Sequence, residues 1–175
     1  GLLAVGVYVA IGLILGCVAG YFGGWVDMIV SRLVDAVLSF PTLMLILVIV
    51  GLLGPSLFNI ILVLGFLGWP EVARIVRGQT LAVREELYVL SSEAAGAPSS
   101  RILLKDILPN IMSPVIVNAT FGVARAILIE AGLSFLGMGV QPPKASWGNM
   151  LNDAQSLSIL ETMPWMWVPP GLMIF

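Results

Sequence analysis

Charged side chains divide this chain into long uncharged stretches, and those stretches set its architecture. No charge falls between positions 1 and 26, where Leu, Val, Ile, Ala and Gly dominate; that is enough for one helix across a hydrocarbon core of about 30 Å. Positions 36 to 70 are also uncharged, too long a run for one straight helix. The cluster Gly54-Pro55-Ser56 divides it with residues that break helices and make turns. The pattern predicts a helical hairpin: the first arm runs from near Ser31 to near Leu53, the second from about Ser56 to the Trp69-Pro70 region and a turn beyond. A fourth span covers Pro109 to about Gly132, and another opens near Pro164. Backbone groups in lipid must be satisfied within the segment, so runs of this length are helices; barrel strands would alternate instead. The expected fold is all-α, a polytopic helical membrane protein of about five spans.

Composition narrows the chemistry. The chain of 175 residues is 59% hydrophobic and 10% charged, with a mean hydropathy of +1.05, well outside the range of soluble domains. It has no histidine and one cysteine, Cys17. That removes histidine-dependent triads and dyads, two-histidine zinc helices, disulfides and thiolate metal cages. A net charge of −2 without a basic run gives no footprint for nucleic acid. Gly1 opens directly into an apolar run, and Trp165 to Phe175 stops short of a full span, so the expectation is a fragment: a single transmembrane domain over 1–175, its last helix cut short.

Orientation follows from the basic residues, because short cytoplasmic loops collect lysine and arginine. Arg74, Arg77, Arg84, Arg101 and Lys105 all fall between the third and fourth spans, which puts that loop in the cytoplasm. The segment around Arg32 is then inside, the Gly54 turn outside, and the loop from about Ser134 to Met163 outside, with Lys144 set against Asp153 and Glu161.

Within the spans, Gly12, Gly16, Gly20 and Gly24 recur every four residues, placing side-chain-free positions along one helix face, as in a packing seam. A pore lined by glycine backbone is the functional alternative. The fourth span carries Asn118, Thr120, Arg125 and Glu130. Ionisable groups at membrane depth face protein or water, although Glu130 could reach the interface and Arg125 could snorkel. Arg125 and Glu130 stand about 140° apart on the helix wheel, so any partners belong to other helices. Polar positions available to a transport pathway are Ser39, Thr42, Asn118 and Thr120.

Between the third and fourth spans, Val83, Leu87, Leu90 and Ala94 keep the spacing of one helical face from Ala82 to Ala95. Gly96 can turn with positive φ, Pro98 blocks continuation, and Ser99 and Ser100 can cap a second helical stretch, Arg101 to Ile107. A helix-corner-helix of this kind serves either as a connector on the membrane surface or as a docking element for a soluble partner.

The segment from Tyr88 to Asn110, YVLSSEAAGAPSSRILLKDILPN, resembles the signature loop of permease subunits in ATP-binding-cassette (ABC) importers: EAA, three residues, Gly, nine residues, then I-x-L-P. Counting back from Leu108-Pro109 puts the pattern's glycine on Gly96 and its triplet on Leu90-Ser91-Ser92, so Glu93-Ala94-Ala95 is a decoy. The spacing fits, while the acidic residue of the triplet is absent. Three further blocks, GYFGGWVDMIVSRLVDAVLSFPTL, WPEVARIVR and EAGLSFLGMGVQPPKASWGNML, are similar to the peptide and nickel branch of these permeases. The resemblance covers nearly the whole chain.

It implies a MetI-like ABC permease fold that lacks here its first transmembrane helix, the segment after it and most of the last helix. It also implies a subunit without covalent chemistry in the cytoplasmic (inner) membrane, forming the pathway for peptides or a related small solute such as a nickel chelate. The implied partners are a second permease, in a heterodimer, two ATP-binding subunits that carry ATP and Mg, and an extracytoplasmic substrate-binding protein. No GxxxxGK[ST] phosphate loop occurs in the chain, and no cofactor is expected in it. The implied ATPase-coupling loop comprises Tyr88, Leu90, Ser91, Ser92, Ala95, Gly96, Pro98 and Pro109. The outer loop, Ser134 to Asn152, would help receive the binding protein or close the pathway, or else form a re-entrant cap held by Trp147 and the Pro142-Pro143 pair. A stand-alone secondary transporter or channel is the alternative, but repeated halves and midplane carboxylates are not seen. An intramembrane protease would need a Ser-His pair or two intrahelical aspartates.

Overall fold

The computed structural model describes residues 1–174 apart from 142 and 144. Pro142 of the proline pair, Lys144 of the outer loop and Phe175 of the shortened span lie outside the described residues. Among the described residues every regular element is helical. In chain order these are α1 (Leu2–Phe22), α2 (Gly24–Leu38), α3 (Thr42–Leu53), α4 (Leu57–Val83), α5 (Leu87–Ala94) and α6 (Ser99–Arg101). A π-helical stretch (Ile102–Ile107), α7 (Leu108–Phe135), α8 (Trp147–Asp153), α9 (Leu157–Thr162), a 3-10 turn (Pro164–Met166) and α10 (Val168–Ile174) complete the order. By length and composition three helices can cross a membrane, Leu2–Phe22, Leu57–Val83 and the continuous Ser99–Phe135; α2 with α3 makes a fourth if the bent pair counts as one span.

The structural axis is α1 laid along α4. A Cβ at Gly12 would stand 2.5 Å from Val72 Cβ, one at Gly16 2.7 Å from the Ala73 carbonyl oxygen, and one at Gly20 2.9 Å from the Arg77 carbonyl oxygen. No side chain fits in those gaps, so the seam is a packing interface and does not line a pore. Its fourth expected member is not part of it: a Cβ on Gly24 would meet nothing within 4 Å. Gly24 instead joins Gly23 in a turn where both have positive φ, 64° and 53°, a conformation only glycine adopts freely. That turn ends α1 at Phe22, so the first span is shorter than the uncharged run.

Two other boundaries depart from the hydrophobic pattern. The hairpin's first arm is not one helix from near Ser31: α2 begins at Gly24, and α2 and α3 meet at an 80° bend. Pro41, which cannot donate a backbone hydrogen bond, sits at the start of α3. The second arm runs well beyond Pro70, to Val83. Pro70 frees one carbonyl in the preceding turn, yet the helix continues because both of its sides are occupied. Val30 and Val34 of α2 are buried in the same core as Val72, Ala73 and Val76 of α4. Charges that read as loop residues form pairs between α4 and α2 here. Arg77 meets Asp27 through two hydrogen bonds, Nη2 to Oδ2 at 2.6 Å and Nε to Oδ1, and Arg74 reaches Asp35 at 3.0 Å.

The Gly54 corner is closed by a residue that hydropathy does not mark. Asn59 Nδ2 donates to the carbonyls of Leu53 and Gly54 at 3.0 and 2.9 Å, satisfying acceptors left free at the end of α3.

Introducing a methyl group on the seam tests its geometry. Gly16→Ala is expected to destabilise the fold by about 1–3 kcal/mol through overpacking against backbone. Gly6→Ala, on the same helix with open space around it, is expected to be neutral or slightly stabilising. Thermal melts of the two variants in detergent give the comparison.

Candidate functional site

Two places concentrate polar groups and exposed apolar surface: the corner after α5, and a cavity between α1, α4 and α7.

The helix expected over Ala82 to Ala95 is split. Val83 ends α4, residues 84–86 turn, and α5 starts at Leu87. Arg84 ties this turn to the end of α1, its Nη1 donating to the Gly20 carbonyl at 3.1 Å. The apolar stripe of α5 points outward: Leu87 is 80% and Leu90 45% exposed, and Tyr88 beside them is 44% exposed. What anchors α5 is Val89, at 1% exposure, in the core cluster with Ile102 and Ile107 of the π-helical stretch. The reason is the turn at 84–86, which rotates α5 relative to α4, so the stripe that packs on the core at Val83 leaves it at Leu87. Ser91 and Ala95 are exposed and Ser92 half-buried, and the Ser91 hydroxyl caps the Leu87 carbonyl at 2.6 Å.

The corner itself is a Schellman closure. The Gly96 N–H bonds the Glu93 carbonyl at 2.9 Å and the Ala97 N–H bonds the Ser92 carbonyl at 3.1 Å, with Gly96 at φ 79°. Pro98 precedes the next helix as its N-cap, and neither Ser99 nor Ser100 caps with its side chain; both belong to the first turn. From Ser99 the helix is continuous to Phe135 through the π-helical stretch. Pro109 follows that stretch, where the widened ladder tolerates its missing N–H. The helix that carries the fourth span therefore begins ten residues before Pro109.

The cavity, of about 140 Å³, is lined among others by Tyr8, Thr42, Glu71 and Arg125. Glu71 of α4 and Arg125 of α7 form an ion pair across it. Tyr8 of α1 is wedged between two glycines: a Cβ on Gly68 would lie 2.6 Å from its ring, and one on Gly122 1.7 Å from its hydroxyl oxygen.

Of the four polar pathway positions, Thr42 alone lines this cavity. Ser39 sits at the α2–α3 bend with its hydroxyl on the Ala36 carbonyl at 2.7 Å. Asn118 is half-buried elsewhere on α7, and Thr120 is exposed with its hydroxyl on the Ile116 carbonyl at 2.9 Å. Tyr8 and Glu71 were not marked by the sequence pattern. Tyr8 reads as an ordinary apolar-helix aromatic, and Glu71 follows a proline where a helix was expected to end. The available signal was complementary charge, one acid and one base in facing spans. Arg125 does find its partner on another helix, but Glu130 is met by its own: Ser134 Oγ donates to it at 2.8 Å.

Beyond α7 the loop folds back on the helix. Ser134 Oγ accepts the Val140 N–H at 3.1 Å, and Asn152 donates to the Phe135 carbonyl. A Cβ on Gly148 would lie 2.3 Å from the Ala131 carbonyl oxygen. Glycine approach and these polar side chains hold the loop against α7; Trp147, expected to hold a cap, is 41% exposed. Among the described residues no group of three His, Cys, Asp or Glu side chains could hold a metal ion.

Residues 12–175 match the family described as the binding-protein-dependent transport system inner membrane component. The chain is 41% identical over 163 residues to the dipeptide transport system permease protein of Alkalihalophilus pseudofirmus, covering 93% of this chain and 53% of that protein. It is 45% identical over 153 residues to the dipeptide transport system permease protein of Bacillus subtilis, covering 87% and 48%. With the oligopeptide transport system permease protein of Haemophilus influenzae it shares 39% over 166 residues, covering 95% and 53%. The chain spans about half the length of the curated relatives it matches.

The wedge around Tyr8 yields a compensation test. Gly122→Ala alone is expected to destabilise, and Tyr8→Phe, which removes the overlapping oxygen, to recover part of the loss. The coupling expected between contacting residues is about 0.5–3 kcal/mol, read from melts of the two single variants and the double variant. Strict additivity would show that the ring moves away from Gly122 without resistance.

Proposed function

The chain belongs to the family of binding-protein-dependent inner membrane transport components, and from that premise we propose that it is the membrane-spanning subunit of an ATP-driven peptide importer. It is a multi-pass inner-membrane protein. The proposed assembly pairs it with a second permease to form the pathway. Two ATP-binding subunits dock on the corner after α5, and an extracytoplasmic binding protein delivers the peptide. The names of its relatives, dipeptide and oligopeptide permeases, support peptide as the cargo.

One observation carries the coupling role: α5 presents Leu87, Tyr88 and Leu90 outward while Val89 fastens it to the base of the helix running to Phe135. A connector on a membrane surface gains nothing from the tight glycine closure at Gly96. A docking helix does, because force applied to its outer face is delivered to a long helix without being lost in a loose loop. In this reading ATP-driven closure of the docked subunits moves α5 and the base of α7 together and tilts the span. Moving a two-state balance from 1:99 to 99:1 takes about 5.5 kcal/mol, which nucleotide binding in the partners supplies.

Mild-detergent affinity purification of the full-length parent, followed by mass spectrometry, is expected to recover a second permease and an ATPase with a phosphate-binding loop. Recovery of the chain alone, stable and monodisperse, would sink the importer reading. Gly96→Val puts a branched side chain at positive φ, and the expected result is membrane insertion with peptide uptake at least about tenfold down, as for a strained hinge. Uptake at the parental rate would remove Gly96 from coupling.

A further inference from the structure

The Glu71–Arg125 pair is placed where an ordinary ion pair is out of place. Glu71 lies about 21 Å along α4 from Leu57, and Arg125 about 15 Å along α7 from Phe135, at 1.5 Å per residue. In a hydrocarbon core of about 30 Å Arg125 therefore stands near the middle, deeper than a side chain reaches by snorkelling, and Glu71 lies nearer the cytoplasmic side and pairs with it; the Arg125 and Glu71 side chains are nonetheless 58% and 48% exposed. A half-open pair of charges is not tolerated against hydrocarbon, so the exposed side faces water or protein. The α2–α3 bend points the same way. Non-helical backbone at membrane depth is stable only where it is buried in protein or lines a watery cavity; Thr42, just after the bend, lines this one. Ion pair, broken helix and cavity converge on one spot.

We propose that Glu71 and Arg125 form a station in the pathway that binds the two charged ends of a short peptide, the ammonium terminus on Glu71 and the carboxylate terminus on Arg125. The assignment rests on the peptide-importer reading. A zwitterion is costly to bring into a low-dielectric passage unless each charge finds a partner. Here the partners are stored in self-neutralised form: empty, the station holds one ion pair; loaded, it holds two. No uncompensated charge arises in either state. The ends of a dipeptide lie at most about 7 Å apart, a gap two long side chains on separate helices can open by rotating apart. Tyr8, locked between Gly68 and Gly122, is a rigid wall of the station. The cavity of about 140 Å³ admits one end of a peptide, and the rest of the space comes from side-chain rotation.

The test uses the full-length chain assembled with its partner subunits in liposomes and saturating binding protein. The probes are labelled Ala-Ala and Ala-Ala-amide, which lacks the carboxylate. Glu71→Gln and Arg125→Gln complexes recovered at parental yield are expected to lose Ala-Ala uptake by about tenfold or more, as when one partner of a desolvated charge pair is removed. The Arg125→Gln loss for the amide, relative to the parent, is expected to stay under about twofold. Thr42→Cys is expected to react with a charged thiol reagent in the assembled complex, and millimolar Ala-Ala to protect it. Equal Arg125→Gln losses for both probes, no loss for Ala-Ala, or no protection at Thr42→Cys each overturn the station. Where the parental complex excludes the amide, the labelling result decides. A parental complex that takes up neither probe overturns the importer reading and the station with it.

Discussion

The close approach of α1 to α4 is the constraint on which the rest of the structure depends. Between helices in lipid there is no hydrophobic force, so contact area and backbone proximity must hold them together. Gly12, Gly16 and Gly20 provide both by removing every side chain from one face of α1 opposite Val72, Ala73, Val76 and Thr80. With α4 pinned over that length, Pro70 can sit inside a helix that continues for thirteen further residues. Glu71, Arg74 and Arg77 then project from a fixed post rather than from a loop, and Arg84 follows in the turn at its end. Each is used: Arg77 and Arg74 fasten α2, Arg84 closes on the end of α1, and Glu71 reaches α7. The exposed Arg74–Asp35 pair adds little energy, about 0–1 kcal/mol; its effect is on orientation.

Much of this plan is readable without coordinates. Seam periodicity, the positive-φ corner at Gly96 and the length of the apolar runs are local properties, and local rules predict them. What escapes is whatever depends on a partner far along the chain. Arg74 and Arg77 look like loop residues until Asp27 and Asp35 are seen beside them, 50 and 39 positions away from Arg77 and Arg74 respectively. Val89 is buried and Leu87 exposed because a three-residue turn breaks phase with α4, and a break in phase leaves no hydropathy signature. Ser39, Thr42, Asn118 and Thr120 are marked in the sequence only as polar residues within spans. That mark falls on Thr42 and also on Thr120, whose hydroxyl merely closes on its own helix. Facing charges in two spans mark a polar cavity more directly, since a pair stands at depth at a lower desolvation cost than a lone charge.

The two candidate sites are joined by one element. The helix that begins at Ser99, under α5, carries Arg125 some 39 Å further on, at 1.5 Å per residue. In the proposed importer this continuity matters more than any pathway of contacts. A rigid helix does not transmit a graded signal; it moves as a body or bends at a defined place, and the π-helical stretch Ile102–Ile107 is such a place. A tilt of α7 about that base displaces Arg125 relative to Glu71, which the glycine seam holds still. Closing the partner ATPases would therefore change the spacing of the two charges that the cargo must span, so that grip on the peptide and the state of the nucleotide become one equilibrium. Reciprocity follows from that linkage: a peptide that prefers the separated pair must favour the same helix tilt that the docked subunits impose.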